Sequence, residues 1–182
     1  MNYSCKLELD LNTVHSNLKL SDNKKKVTAE EDKSNPNNPE TFHYWYQMLC
    51  KNKLKGHCYW EVERTGKVNI AVSNINIMRN GDQDDCWFGC NDHSWSLRCC
   101  DDEGYAAFHN DKKYPITSSS SVSNRVAVYV DCPAGTLSFY TVSSDSLIHL
   151  HTFEMIKFSD PETLCPGFGV WSAGSSVSLC PL

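Results

Sequence analysis

The sequence predicts an all-β fold, an antiparallel sandwich of two sheets with little helix, on three observations. Apolar and polar residues alternate in several short segments, polar turn-rich pieces separate those segments, and no stretch carries three turns of an amphipathic helix. In KLELDL (6–11), Leu7, Leu9 and Leu11 share one face, and in HCYWEVE (57–63) Cys58, Trp60 and Val62 do the same. VNIAV (68–72) turns Val68, Ile70 and Val72 inward and Asn69 and Ala71 outward. WSLRCC (95–100) turns Trp95, Leu97 and Cys99 inward and Ser96, Arg98 and Cys100 outward. VYVDCPAGTLSFY (128–140) places Cys132, Pro133, Ala134 and Gly135 between two strand-forming runs. It reads as a hairpin joining 125–131 to 136–140, with Asp131 and Cys132 at the turn. Turns are expected at 30–40, 79–85 and 117–124, and residues 147–158 suit strand and helix alike.

A chain of 182 residues is long enough to bury a core as one domain without covalent staples. Its net charge is −5, and its lysines fall in short runs (24–26, 51–55, 112–113), which argues against nucleic-acid binding. No apolar run suits a signal peptide or approaches the roughly 18 residues needed to span a membrane. An Asn-X-Ser sequon stands at Asn2, on the terminus. Without an export signal, the ten cysteines are expected to be reduced thiols in the cytoplasm.

Cysteine and histidine raise two metal readings. Cys86, Cys90, His93 and Cys99 or Cys100 are zinc-type ligands, but their spacing lacks paired Cys-X2-Cys knuckles. His149 and His151 flank Leu150 and are expected on one strand face, its solvent side. NGDQDD (80–85) lacks the ordered spacing and distal Glu of a calcium loop. There is no Gly-X-Ser-X-Gly elbow, Cys-X-X-Cys pair, His-Glu-X-X-His helix or phosphate loop, so neither catalysis nor a cofactor is indicated. Trp60, Trp95, Phe139, Phe168 and Trp171 are expected in the core. Tyr44, Trp45 and Tyr46 are consecutive, so at least one must face solvent.

LDLNTVHSNLKLS (9–21), CYWEVE (58–63), WSL (95–97), VDCPAGTLSFY (130–140) and LCPGFGVW (164–171) occur in the order found in PRY-SPRY domains. The chain resembles most the C-terminal domains of tripartite-motif proteins and of NOD-like receptors, particularly those of bony fish. The resemblance implies a bent, concanavalin-like jelly roll with a PRY part at about 5–55 and a SPRY part at about 56–182. It also implies a non-catalytic protein-recognition role, in an innate-immune-type protein, for a domain that is itself monomeric. In such relatives the positions matching Asn69, Arg98, Cys100 and Phe168 line the ligand pocket, and loops near 30–46 and 75–85, with Trp45 and Tyr46, form its walls. Arg98 and Cys100 stand where many relatives carry aromatics, so a polar floor selective for an acidic group is expected. Carbohydrate recognition by the sandwich is the alternative.

Overall fold

The computed structural model describes residues 4–30, 39–116, 123–144, 146–154, 156–157 and 163–181. In chain order the strands are β1 (Leu18–Ser21), β2 (Lys26–Ala29), β3 (Gln47–Leu49), β4 (His57–Thr65), β5 (Val68–Asn74), β6 (Ser94–Cys100) and β7 (Gly104–His109). They continue with β8 (Lys112–Pro115), β9 (Arg125–Asp131), β10 (Thr136–Ser143), β11 (Ser146–Phe153), β12 (Leu164–Val170) and β13 (Ser176–Leu179). A single 3-10 turn, Asp84–Cys86, is the only helical element among the described residues. All strand pairing is antiparallel, in a seven-stranded sheet ordered β1-β2-β13-β4-β9-β10-β11 and a six-stranded sheet ordered β3-β12-β5-β6-β7-β8.

The two sheets close on one another through the residues that alternation points inward. Trp60 and Val62 on β4, Ile70 and Val72 on β5, Leu97 and Cys99 on β6, and Phe139 on β10 are all 2% exposed or less. β9 and β10 form the expected hairpin, with Asp131 paired to Thr136. Asp131 Oδ1 accepts from the Ala134 amide at 3.1 Å, and Gly135 takes φ +71° to complete the turn. Asp131 and Cys132 are therefore turn residues.

Three expectations require correction here. KLELDL is not a regular strand: Leu9 makes one bridge to Cys50, while Leu11 is 45% exposed. The segment is instead held at isolated points, by Cys5 N–H on Tyr59 O and Asp10 N–H on Leu49 O. That course lays Cys5 beside β4 with its Cα 5.6 Å from that of Cys58, and the two sulfurs are bonded. Eight cysteines, not ten, are thus free thiols. Finally, 146–153 is strand, but the β10–β11 register slips between Phe139 and Tyr140, pairing Phe139 with His151 and Tyr140 with His149. The extra residue at this bulge sends His151 to the inner face and His149 to the outer one, so the two imidazoles do not share a face. Among the described residues no three His, Cys, Asp or Glu side chains converge as metal ligands. Asn2 and most of the turns expected at 30–40 and 117–124 lie outside the described residues.

Candidate functional site: an aromatic groove on the six-stranded sheet

The outer face of the six-stranded sheet is where alternation sends Asn69, Ala71, Ser96, Arg98 and Cys100, but most of this face does not meet solvent. Residues 84–94 cross it, and a second apolar cluster of Phe42, Leu49, Ala71, Ile77, Phe88 and Cys165 fills the space beneath. Gly167 leaves room for Phe88: a Cβ there would sit 2.8 Å from its ring. Buried polar side chains hold the backbone of the covering segment. Gln47 donates to Cys86 O and accepts from Phe88 N–H, while Asn69 Nδ2 donates to Phe88 O at 3.3 Å. Ser94 Oγ accepts from Gly89 N–H at 2.8 Å, and Asn91 Nδ2 donates to the carbonyls of Asp84 and Trp87. A loop laid over a sheet needs partners for its amides and carbonyls, and these side chains supply them.

The cover stops at Trp87 and Cys90, and beyond it a groove of about 600 Å³ opens over β6 and β7. Its floor is Arg98. The guanidinium carbon lies 3.9 Å from the centroid of Trp87 and 3.8 Å from that of Phe108, a cation between two aromatic faces. Arg98 Nη2 also donates to Cys90 Sγ at 2.9 Å. Cys100 and Ala106 continue the floor, and Lys67, Glu103 and Lys113 stand around it. Three cations against one carboxylate make the groove net positive.

Tryptophans form its high wall. Trp45 stacks on Trp87 with centroids 4.3 Å apart and planes within 7°, and Trp171 meets Trp87 edge-on at 6.5 Å. Trp45 Nε1 is tied to Gln83 O at 3.1 Å. The far side of Trp45 and Trp171 faces a second groove of about 510 Å³, lined also by His15, Asn17, His43, Tyr44 and Tyr46. His15 is buried there, its ring 4.6 Å from Tyr46. Burial holds its pKa below the ordinary histidine value.

The six site residues expected from sequence therefore separate. Arg98, Cys100 and Trp45 meet in the first groove, and Tyr46 lies in the second. Asn69 and Phe168 line neither groove. Asn69 is 1% exposed beneath the covering loop, and Phe168 is 1% exposed because its pairing with Ile70 and Met48 faces it into the core. Trp171, expected in the core, is half-buried in the groove wall. Sequence reasoning missed Trp87, Phe108, Lys67, Lys113 and Glu103. Phe108 was within reach of it, because Tyr105 and Ala107 are buried on β7 and the alternation turns Phe108 to the face of Arg98. Trp87 follows a 3-10 turn and carried no periodic signal.

Four of the buried thiols are poorly suited to nucleophilic chemistry. Burial pushes Cys86 and Cys90 up to about 11, and Cys99 and Cys165 up to about 12, so all four are protonated at neutral pH.

Residues 57–181 match the SPRY domain, and residues 7–54 the SPRY-associated PRY domain. The chain is a PRY-SPRY domain. Stonustoxin subunit beta of Synanceia horrida is 38% identical over 176 residues, covering 97% of this chain and 25% of that protein. Tripartite motif-containing protein 16 of Mus musculus is 32% identical over 165 residues, covering 88% of this chain and 29% of that protein. The solved stonustoxin structure superposes with a TM-score of 0.86 at 34% identity, over 98% of this chain and 27% of that one. The TRIM65 PSpry domain superposes with a TM-score of 0.86 at 23% identity, over 100% of this chain and 92% of that one, a likeness of fold. The chain thus spans about a quarter of the length of the curated relatives it matches. PRY-SPRY domains are protein-interaction modules and are generally non-catalytic.

Proposed function

We propose that this PRY-SPRY domain is the ligand-sensing part of an innate-immune-type protein of the tripartite-motif or NOD-like receptor kind, and that it grips its protein partner in the Arg98 groove. The observation that carries the reading is the groove itself: Trp45, Trp87 and Trp171 stand over a floor whose lining holds three cations and one carboxylate. Tryptophan and arginine are the side chains that most often dominate interface energetics, and an indole wall excludes water around a charged contact. An acidic segment of a partner fits this chemistry, its carboxylate facing Lys67, Lys113 and the edge of Arg98 and its apolar neighbours lying on the indoles. Cytoplasmic placement belongs to the same proposal. Eight free thiols support it, and the Cys5–Cys58 bond is the feature that runs against it.

The test is selection of peptides from a random display library on the purified domain, followed by affinity measurement on variants. Enrichment of acidic, aromatic-containing peptides is expected. Lys67→Glu with Lys113→Glu, and separately Trp171→Ala, should each weaken the best peptide at least tenfold. Peptides that bind both variants as tightly as the parent domain place the site elsewhere.

A further inference from the structure

His15 occupies an unusual position in the wall of the second groove because both its ring nitrogens are committed. Nε2 faces His43 O at 3.0 Å, and since a carbonyl only accepts, Nε2 carries the proton. Nδ1 faces the Asn17 N–H at 2.9 Å, and since an amide only donates, Nδ1 is the acceptor. The tautomer is thereby fixed, and the ring is neutral. A proton added at Nδ1 would set one N–H against another. His15 also joins several parts of the wall. It reaches residue 43 through the carbonyl and residue 17 through the amide, its ring packs on Tyr46, and Tyr46 Oη accepts from Asn17 Nδ2 at 2.8 Å. Trp45, between His43 and Tyr46, belongs to the wall of both grooves. The titratable groups facing the ring are the imidazole of His43 and the phenol of Tyr46. No carboxylate facing the ring is found among the described residues, and the bond to His43 O is what favours imidazolium.

We propose that His15 is an acid-operated clip on the partner site: protonation of Nδ1 breaks the bond to Asn17, loosens the tie from Asn17 to Tyr46 beside Trp45, and releases the partner. This rests on the groove reading above for the identity of the site. The lowered pKa of His15 has the matching direction, since burial, the largest cause, opposes its charging and outweighs the bond to the His43 carbonyl, which favours it. The ring is therefore mainly neutral at neutral pH and takes up its proton on acidification.

Gln in place of His15 separates titration from structure, because its Oε1 accepts and its Nε2 donates without taking up a proton. Amide hydrogen exchange, corrected for the intrinsic dependence of exchange on pH, is measured at several pH values from 7.5 to 5.0. In the parent domain the Asn17 amide should lose at least tenfold in protection across this range, in step with the NMR titration of the His15 ring. In His15→Gln it should lose less than threefold. Equal loss in both proteins, or constant protection in the parent while the ring titrates, overturns the clip. A second arm uses the best peptide from the library, whose affinity should fall at least tenfold between pH 7.5 and 5.0 for the parent and stay level for His15→Gln. Affinity that is level in both proteins overturns the regulatory role while leaving the groove reading intact. If the library yields no groove peptide, the groove reading fails by itself and the exchange arm still decides whether the clip opens.

Discussion

The Arg98 contact predicts a measurable loss of stability in Arg98→Ala, even before any partner is considered. An arginine on the outward face of a strand is ordinarily removable at little cost, with surface changes staying within about 0.5 kcal/mol. Here the guanidinium is held between Trp87 and Phe108 at 3.9 and 3.8 Å. A cation over an aromatic face contributes about 0.5–1 kcal/mol when exposed and about 2 when desolvated, so two half-buried contacts amount to roughly 2 kcal/mol. The hydrogen bond to Cys90 Sγ adds to this figure, whereas the buried Arg98 Nε, which has no partner among the described residues, subtracts from it by roughly 1 kcal/mol. The net loss is about 1–2 kcal/mol. For a domain of this size each kcal/mol moves Tm by roughly 2–4 °C, giving a fall of about 2–8 °C. Thermal and urea unfolding of Arg98→Ala and Arg98→Lys measure it, the lysine variant falling between because it keeps the charge and loses the planar stack. Lys112→Ala, an exposed cation 5.1 Å from the Tyr114 ring, is the control and should change little. An Arg98→Ala Tm equal to that of the parent within about 1 °C would show that the stack contributes nothing, against the magnitude expected for it.

Other consequences are equally open to measurement. Thiol titration of unfolded protein purified without reductant should count eight cysteines, rising to ten after reduction; ten before reduction would exclude the Cys5–Cys58 bond. At the β9–β10 turn, Cys132→Ser should alter stability by less than about 1 kcal/mol and leave binding intact. Gly135→Ala should cost about 1–3 kcal/mol, since its φ is +71° and its Cβ would lie 2.8 Å from Ile156 O; a neutral result would mean the turn relaxes freely. Phe168→Ala should cost roughly 3–5 kcal/mol in urea unfolding, as a core truncation does, and Phe168→Leu less; a full-stability variant with lost binding would restore Phe168 to the site. His15 and His151 both titrate below the ordinary histidine value, burial being the first cause in each. The unfolded chain therefore binds protons first as pH falls through about 6.5, and folded stability should decline below that point. His15→Gln should flatten part of the decline, and a Tm that rises on acidification from pH 7 to 5.5 would contradict the sign.

Much of the sandwich was legible because a strand announces its direction two residues at a time. Cys58, Trp60 and Val62, then Val68, Ile70 and Val72, then Leu97 and Cys99 point where alternation sends them, and the Pro-Ala-Gly interruption marks a turn for local steric reasons. KLELDL shows the limit of the same signal. Its pattern is as regular as that of β4, yet it makes single bridges where β4 has full ladders on two sides, and alternation has no information about neighbours. His149 and His151 fail for a related reason: a bulge adds one residue to one strand, and every inference of facing beyond it reverses.

The site was legible only in part because direction and exposure are different quantities. Asn69 and Ser96 do point away from the inner core, and sequence reasoning equated this with solvent. They are buried because a loop lies over them, and they are polar because that loop presents backbone carbonyls. The same pattern on an uncovered sheet would place them in water, so no rule of strand periodicity separates the two cases. The covered region has a consequence for the groove. Trp87 is fixed by Asn91, which holds its carbonyl, and by the seating of Phe88 between Phe42 and Gly167. Trp45 is fixed by its stack on Trp87 and its bond to Gln83 O. The indoles that the proposed site would offer to a partner are therefore held in part by residues buried beneath them. Rigid aromatic anchors lose little conformational freedom on binding, so on the proposed reading this buried polar scaffold would set the affinity of the groove as surely as the tryptophans it carries.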